Sequence, residues 1–233
     1  MTIEANIRKI LDEIPPSVQL VVVSKTQPVE TILEAYRNGQ RIFGENRVQE
    51  LLSKQNSLPA DIKWHLIGHL QTNKVRSIAP FVSLIHSVDS LKLLKEINRQ
   101  AEKENRKIDC LLQVYIASEE TKFGLNKAEV LTLLHDKEFA SLQNIRIRGL
   151  MGMATYTENK EQIRSEFKSL KIFFNELKQS RLYSASPNVN HFFDILSMGM
   201  SSDYRIAIEE GSTMIRLGSS IFYYGNHRYE PQS

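Results

Sequence analysis

The chain has 233 residues, of which 41% are hydrophobic and 24% charged, a balance that excludes an intrinsically disordered chain. Its formal charge of +3 is scattered along helix-like segments, which argues against a dedicated nucleic-acid surface, where cations cluster on one face. No apolar run approaches the roughly 20 residues that cross a bilayer, so no membrane span is expected.

The N-terminal stretch "MTIEANIRKILDEIPP" lacks the apolar core and small-residue cleavage site of a secretion signal. It reads instead as an amphipathic helix with Ile3, Ile7, Ile10 and Ile14 on one face. "QLVVVSK" is the first candidate strand. Pro28 then stands where a helix can begin, followed by Val29, Ile32 and Leu33. Three more strands follow at "RIFGEN", "IKWHLIG" and "SLIHSVD". After Asp89 and Ser90, a helical face carries Leu91, Leu94, Ile97 and Ala101. "CLLQVYI" and "IRGLMGMA" are again strand-like. The lone Cys110 sits in the first of them; it can form no internal disulfide, and a reducing, cytoplasmic setting fits. From Lys160 to Ser180, Ile163, Phe167, Leu170, Phe174 and Leu177 recur at helical spacing. "ILSMGMS" and "TMIRLGSSIF" bring the candidate strands to eight.

Strands alternating with helices imply parallel β/α units, and eight of them predict a closed (β/α)8 TIM barrel. An open doubly wound sheet is the alternative, disfavoured because no strand-to-helix turn carries G-x-G-x-x-G. No Pro-, Gly- or Ser-rich linker interrupts the pattern. One domain over residues 1–225 is expected, followed by a polar tail at 226–233.

In a barrel, chemistry sits where strands end. Here those ends hold Lys25; Glu45 and Asn46; Gly68 and His69; Asp89; Thr121 and Lys122; Thr155 and Tyr156; Ser197 to Ser201; and Gly218 to Ser220. By alternation Lys25 faces inward with Val21 and Val23, while Leu20, Val22 and Ser24 face the helices. A lysine half swallowed at an apolar mouth would have a freed, nucleophilic amine. The bland alternative is a side chain that snorkels to solvent. Arg216 shares the inner face of the last strand with Met214 and Gly218, and a buried guanidinium must meet acceptors or an anion. Gly218, Ser219 and Ser220 offer a phosphate cradle where barrels often hold one. Ser197 could reach the same phosphate and Ser202 would cap the next helix, with Ser201 open between the two roles. Asn46 could bond a ring hydroxyl or cap a helix. No histidine pair has the setting of a metal site; His86 and His135 read as isolated and structural.

In chain order, "VVVSKTQP", "IFGENRVQE", "WHLIGHLQTNK", "TKFGL", "IRGLMGMA", "LSMGMSSD" and "GSTMIRLGSSIF" resemble the signatures of the pyridoxal phosphate homeostasis protein family. The resemblance runs from about residue 18 to residue 222. It implies a barrel similar to the N-terminal domain of alanine racemase, with pyridoxal 5′-phosphate at its rim as a Schiff base on Lys25. By the same resemblance Arg216 approaches the pyridine nitrogen, Ser197, Gly218 and Ser219 hold phosphate, and Asn46 lies near the ring. Two features depart from the pattern: "IFYYG" puts Tyr223 where glycine is usual, and the connection "RLYSASPNVNHFFD" (181–194) is longer.

The expected role is therefore intracellular vitamin B6 homeostasis without turnover, in a monomer that makes transient contact with pyridoxal phosphate-dependent apo-enzymes. An amino-acid racemase is the alternative. Racemisation needs a base on each side of the substrate α-carbon, and the short tail after residue 222 leaves no room for a second domain to supply one. A Schiff-base aldolase barrel would explain Lys25 and the cradle but not the remaining motifs.

Overall fold

Eight short strands close into a barrel in the computed structural model, which describes residues 2–117, 123–180 and 193–222. They are β1 (Gln19–Val23), β2 (Ile42–Glu45), β3 (Lys63–Leu66), β4 (Leu84–Val88), β5 (Ile108–Gln113), β6 (Ile145–Met151), β7 (Ile195–Ser197) and β8 (Met214–Leu217). Each pairs in parallel with its successor, and β8 closes on β1 with Val21 opposite Arg216. This is the (β/α)8 barrel expected from the alternation of elements.

Side-chain alternation divides the core in two. Val21, Leu84, Leu111, Met151 and Met214 form a small cluster inside the barrel. Leu20, Val22, Phe43, Trp64, Ile215 and Leu217 point outward into a much larger core beneath the helices. The first helix, Ile3–Glu13, buries Ile3, Ile7 and Ile10, as their spacing predicts, and Ile14 just beyond it is buried too. Asn6 Nδ2 donates to the Ile221 carbonyl at 2.9 Å, fastening that helix to the last one. Ser90 caps the helix Leu91–Lys103 by accepting from the Leu93 N–H. The helix Lys160–Gln179 buries the five predicted residues and also Phe173. Cys110 is fully buried, and burial pushes its thiol up out of the reactive range.

Three local expectations change. "SSIF" is not strand: β8 stops at Leu217 and Ser219–Phe222 is a short helix. Ser202 does not cap the helix Tyr204–Glu209; Asp203 is its N-cap and instead accepts the Met200 N–H at 2.6 Å. Asn46 is no cap either, since Arg47 holds that position for the helix Val48–Gln55 without a side-chain bond. Thr121, Lys122, Tyr223, positions 181–192 of the long connection and the tail at 226–233 lie outside the described residues. No helix among the described residues is long and apolar enough to cross a membrane.

Candidate functional site

Lys25 does not end the strand. β1 stops at Val23, and Lys25 sits in a turn with its side chain exposed, so burial does not explain a lysine here. The turn spans Ser24 to Gln27, closed by the Gln27 N–H to the Ser24 carbonyl at 3.1 Å. Thr26, its third residue, has φ +61°. A β-branched residue in the left-handed region costs on the order of 1–3 kcal/mol, so surrounding contacts must impose it.

Those contacts come from a buried ionic cluster. Lys54, on the helix Val48–Gln55, is 7% exposed, and its Nζ has three partners. They are Glu45 Oε1 at 2.7 Å, Glu50 Oε2 at 3.2 Å and the Ser24 carbonyl at 2.8 Å. Ser24 Oγ donates to the same Glu45 oxygen at 2.6 Å. The Thr26 N–H donates to Glu50 Oε2 at 2.8 Å. Burial raises the Glu45 carboxyl against the opposing pull of Lys54 and Ser24, and its Oε2 is the one buried side-chain polar atom among the described residues without a hydrogen bond. For Glu50 burial works the same way, but the Thr26 N–H and Lys54 outweigh it and lower the carboxyl.

The second group lies inside the barrel. Arg216 is 4% exposed and reaches across from β8: one terminal nitrogen donates to Ser197 Oγ at 2.6 Å, the other to the Gly152 carbonyl at 3.2 Å. Ser197 is fully buried, so it faces Arg216 and not the open rim. Its Oγ also lies 3.0 Å from His86 Nδ1, and His86 Nε2 lies 3.0 Å from His65 Nδ1. Burial lowers both imidazoles, His65 to about 3, so both are neutral near pH 7. Burial lowers Arg216 to about 10 against the pull of Asp203, which leaves it cationic. His86 is therefore not isolated. The signal that could have found this row was strand parity: His65 and His86 occupy inward positions, flanked by outward Trp64, Leu66 and Ile85.

At the rim, the turns after β7 and β8 meet, with the Ser220 N–H donating to Ser201 Oγ at 3.4 Å. A Cβ on Gly218 would stand 3.1 Å from the Val23 carbonyl, so the chain leaving β8 passes close to the end of β1. Across β1, a Cβ on Gly68 would fall 2.2 Å from the Asn46 carbonyl oxygen; only glycine fits, and it fixes where Asn46 stands. The Asn46 side-chain amide makes no hydrogen bond to the described residues. Lys25, Asn46, Ser201, Gly218 and Ser219 thus lie on neighbouring turns at one end of the barrel, with Ser197 and Arg216 beneath them. A cavity of about 290 Å³ opens at the opposite mouth, lined by Lys63, His65, Asp109, Arg148 and Asp194 among others. It holds none of the predicted residues.

The model of the alanine racemase N-terminal domain family matches residues 1–226. A pyridoxal phosphate homeostasis protein of Aquifex aeolicus is 41% identical over 91% of this chain and 88% of its own length. The chain belongs to the pyridoxal phosphate homeostasis protein family. The human member is 36% identical over 89% of this chain and 77% of its own. PipY of Synechococcus elongatus PCC7942, solved with pyridoxal phosphate bound, is 37% identical and superposes with a TM-score of 0.82 over 95% of this chain and all of its own. Alanine racemase from E. faecalis superposes with a TM-score of 0.69 at 13% identity, over 96% of this chain and 58% of its own, and shares the barrel.

Proposed function

We propose that this protein binds pyridoxal 5′-phosphate through Lys25 and serves cytoplasmic vitamin B6 homeostasis, without catalytic turnover. The observation that carries the reading is the pairing of β8 with β1. It sets a buried, permanently charged guanidinium beside the strand that leads into the Lys25 turn. The donor set fits the cofactor. Lys25 offers an amine. Asn46 offers a ring hydroxyl an amide that has no hydrogen bond among the described residues. Ser201, Gly218 and Ser219 offer hydroxyls and backbone N–H groups to a phosphate, and Arg216 would serve as a donor to the ring nitrogen. Ser197 acts through Arg216, since its hydroxyl is already engaged. When bound, the cofactor supplies an aldehyde that can be held as a carbon–nitrogen double bond to an amine.

Binding without turnover is supported by the relatives' shared name and by the groups next to Arg216. Both nitrogens of His86 are engaged, so it is unsuited to taking a substrate proton. Tyr156, a conceivable second base, is 87% exposed. The protein acts as a monomer built on residues 1–225 and meets apo-enzymes transiently.

The test is an absorbance spectrum before and after borohydride reduction, with mass mapping of the modified lysine. Wild type should be yellow and carry the reduced adduct on Lys25, and Lys25→Ala should lose both. A wild type that stays colourless after reconstitution refutes the reading. Alanine racemisation that disappears in Lys25→Ala would establish an enzyme instead.

A further inference from the structure

We propose that the Lys54–Glu45–Glu50 cluster is a positioning device for the Lys25 turn, setting the rate with which Lys25 captures an aldehyde. The proposal rests on the reading of Lys25 as the cofactor-holding lysine. Capture joins Lys25 Nζ to the aldehyde carbon: the nitrogen lone pair forms the new bond, and the carbonyl oxygen leaves as water with both protons of the neutral amine. Such a step is sensitive to where the amine stands. The side chain of Lys25 is exposed, and where its amine stands depends on the backbone turn that carries it.

Both neighbours of Lys25 are held by the cluster. Ser24 is gripped twice, its carbonyl by Lys54 Nζ and its hydroxyl by Glu45. Thr26 is gripped through its N–H by Glu50, in the left-handed conformation that a threonine avoids on its own. The three ions come from β2 and one helix, so the β2 unit clamps the turn of β1. Stability alone is a poor reason for such a cluster, since buried ions are often matched or bettered by apolar side chains. The unpartnered Glu45 Oε2 shows that hydrogen bonding here is incomplete. Holding one backbone geometry accounts for both features.

The full-length chain allows the test. Lys54→Met removes the ammonium and keeps the stem; Glu50→Gln keeps an oxygen for the Thr26 N–H and removes the charge. Arg148→Met, which breaks the ion pairs with Asp109 and Asp194 at the other end of the barrel, controls for general loss of stability. In cofactor-free protein, amide exchange at Thr26 should quicken at least about tenfold in Lys54→Met, less in Glu50→Gln and not at all in Arg148→Met. With pyridoxal phosphate added, borohydride-trapped capture at Lys25 should slow about tenfold in Lys54→Met and keep the wild-type rate in Arg148→Met. Lys54→Arg should recover part of both effects.

A Lys54→Met protein that melts like Arg148→Met yet keeps wild-type Thr26 exchange and the wild-type capture rate overturns the proposal. If Lys54→Met does not fold, Glu50→Gln decides by the same two readouts. If wild type itself never captures the cofactor, the functional reading fails, and unchanged Thr26 exchange in the variants would refute the clamp independently.

Discussion

Arg216 has both terminal nitrogens engaged, by Ser197 and by the Gly152 carbonyl, inside the barrel where Met214 and Val21 are also buried. Replacing it strands those acceptors. Arg216→Gln should keep the fold, lose about 1–3 kcal/mol in urea unfolding, and weaken pyridoxal phosphate binding in an equilibrium titration. Unchanged affinity would show that the guanidinium does not serve the ligand. Arg216 was legible in the sequence because it lies within a strand, where parity fixes its direction. Lys25 was legible as a residue of interest but not as a geometry. Strand parity would extend through Ser24 to Lys25, but the strand ends at Val23 and a left-handed Thr26 redirects the chain. His65 and His86 were passed over because their meaning lies in each other and in Ser197, which stands 111 positions from His86. A single sequence does not display such pairings.

At the scale of elements, propensity and pattern served best where segments are long. The helix Lys160–Gln179 repeats its apolar stripe over many turns, whereas "SSIF" is too short to choose between strand and helix on β-branching alone. Capping was the weaker guide. Asn46 and Ser202 are good cap residues that do not cap, while Asn126 closes a full capping box with Glu129. Its side chain accepts the Glu129 N–H at 2.9 Å, and Glu129 accepts the Asn126 N–H at 2.7 Å. Asn126→Ala should therefore cost about 1 kcal/mol, read as a lower urea midpoint at unchanged slope. No loss would mean that Lys127–His135 is held by packing alone.

For the whole molecule, the two buried imidazoles dictate how stability follows pH. Burial holds His65 near 3 and His86 well below its usual 6.5, so below pH 6.5 the unfolded chain takes up protons that the fold refuses. Their contribution is complete above pH 6.5 and is lost as pH falls below it, at up to about 1.4 kcal/mol per pH unit for each histidine. Glu45, raised by burial, acts in the opposite sense, since protonation relieves its buried charge. Unfolding free energy should drop between pH 7 and pH 5; a flat profile would mean that the imidazoles are already charged in the fold. The same row of side chains also has a polarity. Arg216 can only donate, so Ser197 Oγ accepts from it, and its buried hydroxyl hydrogen is satisfied when it is donated to His86 Nδ1. With His86 accepting there, its proton sits on Nε2 and points toward His65 Nδ1, leaving the His65 proton on Nε2. One cation near the rim thus favours one tautomer in each of two rings. It orients a one-way row of donors down the barrel axis toward the His65-lined cavity at the far mouth.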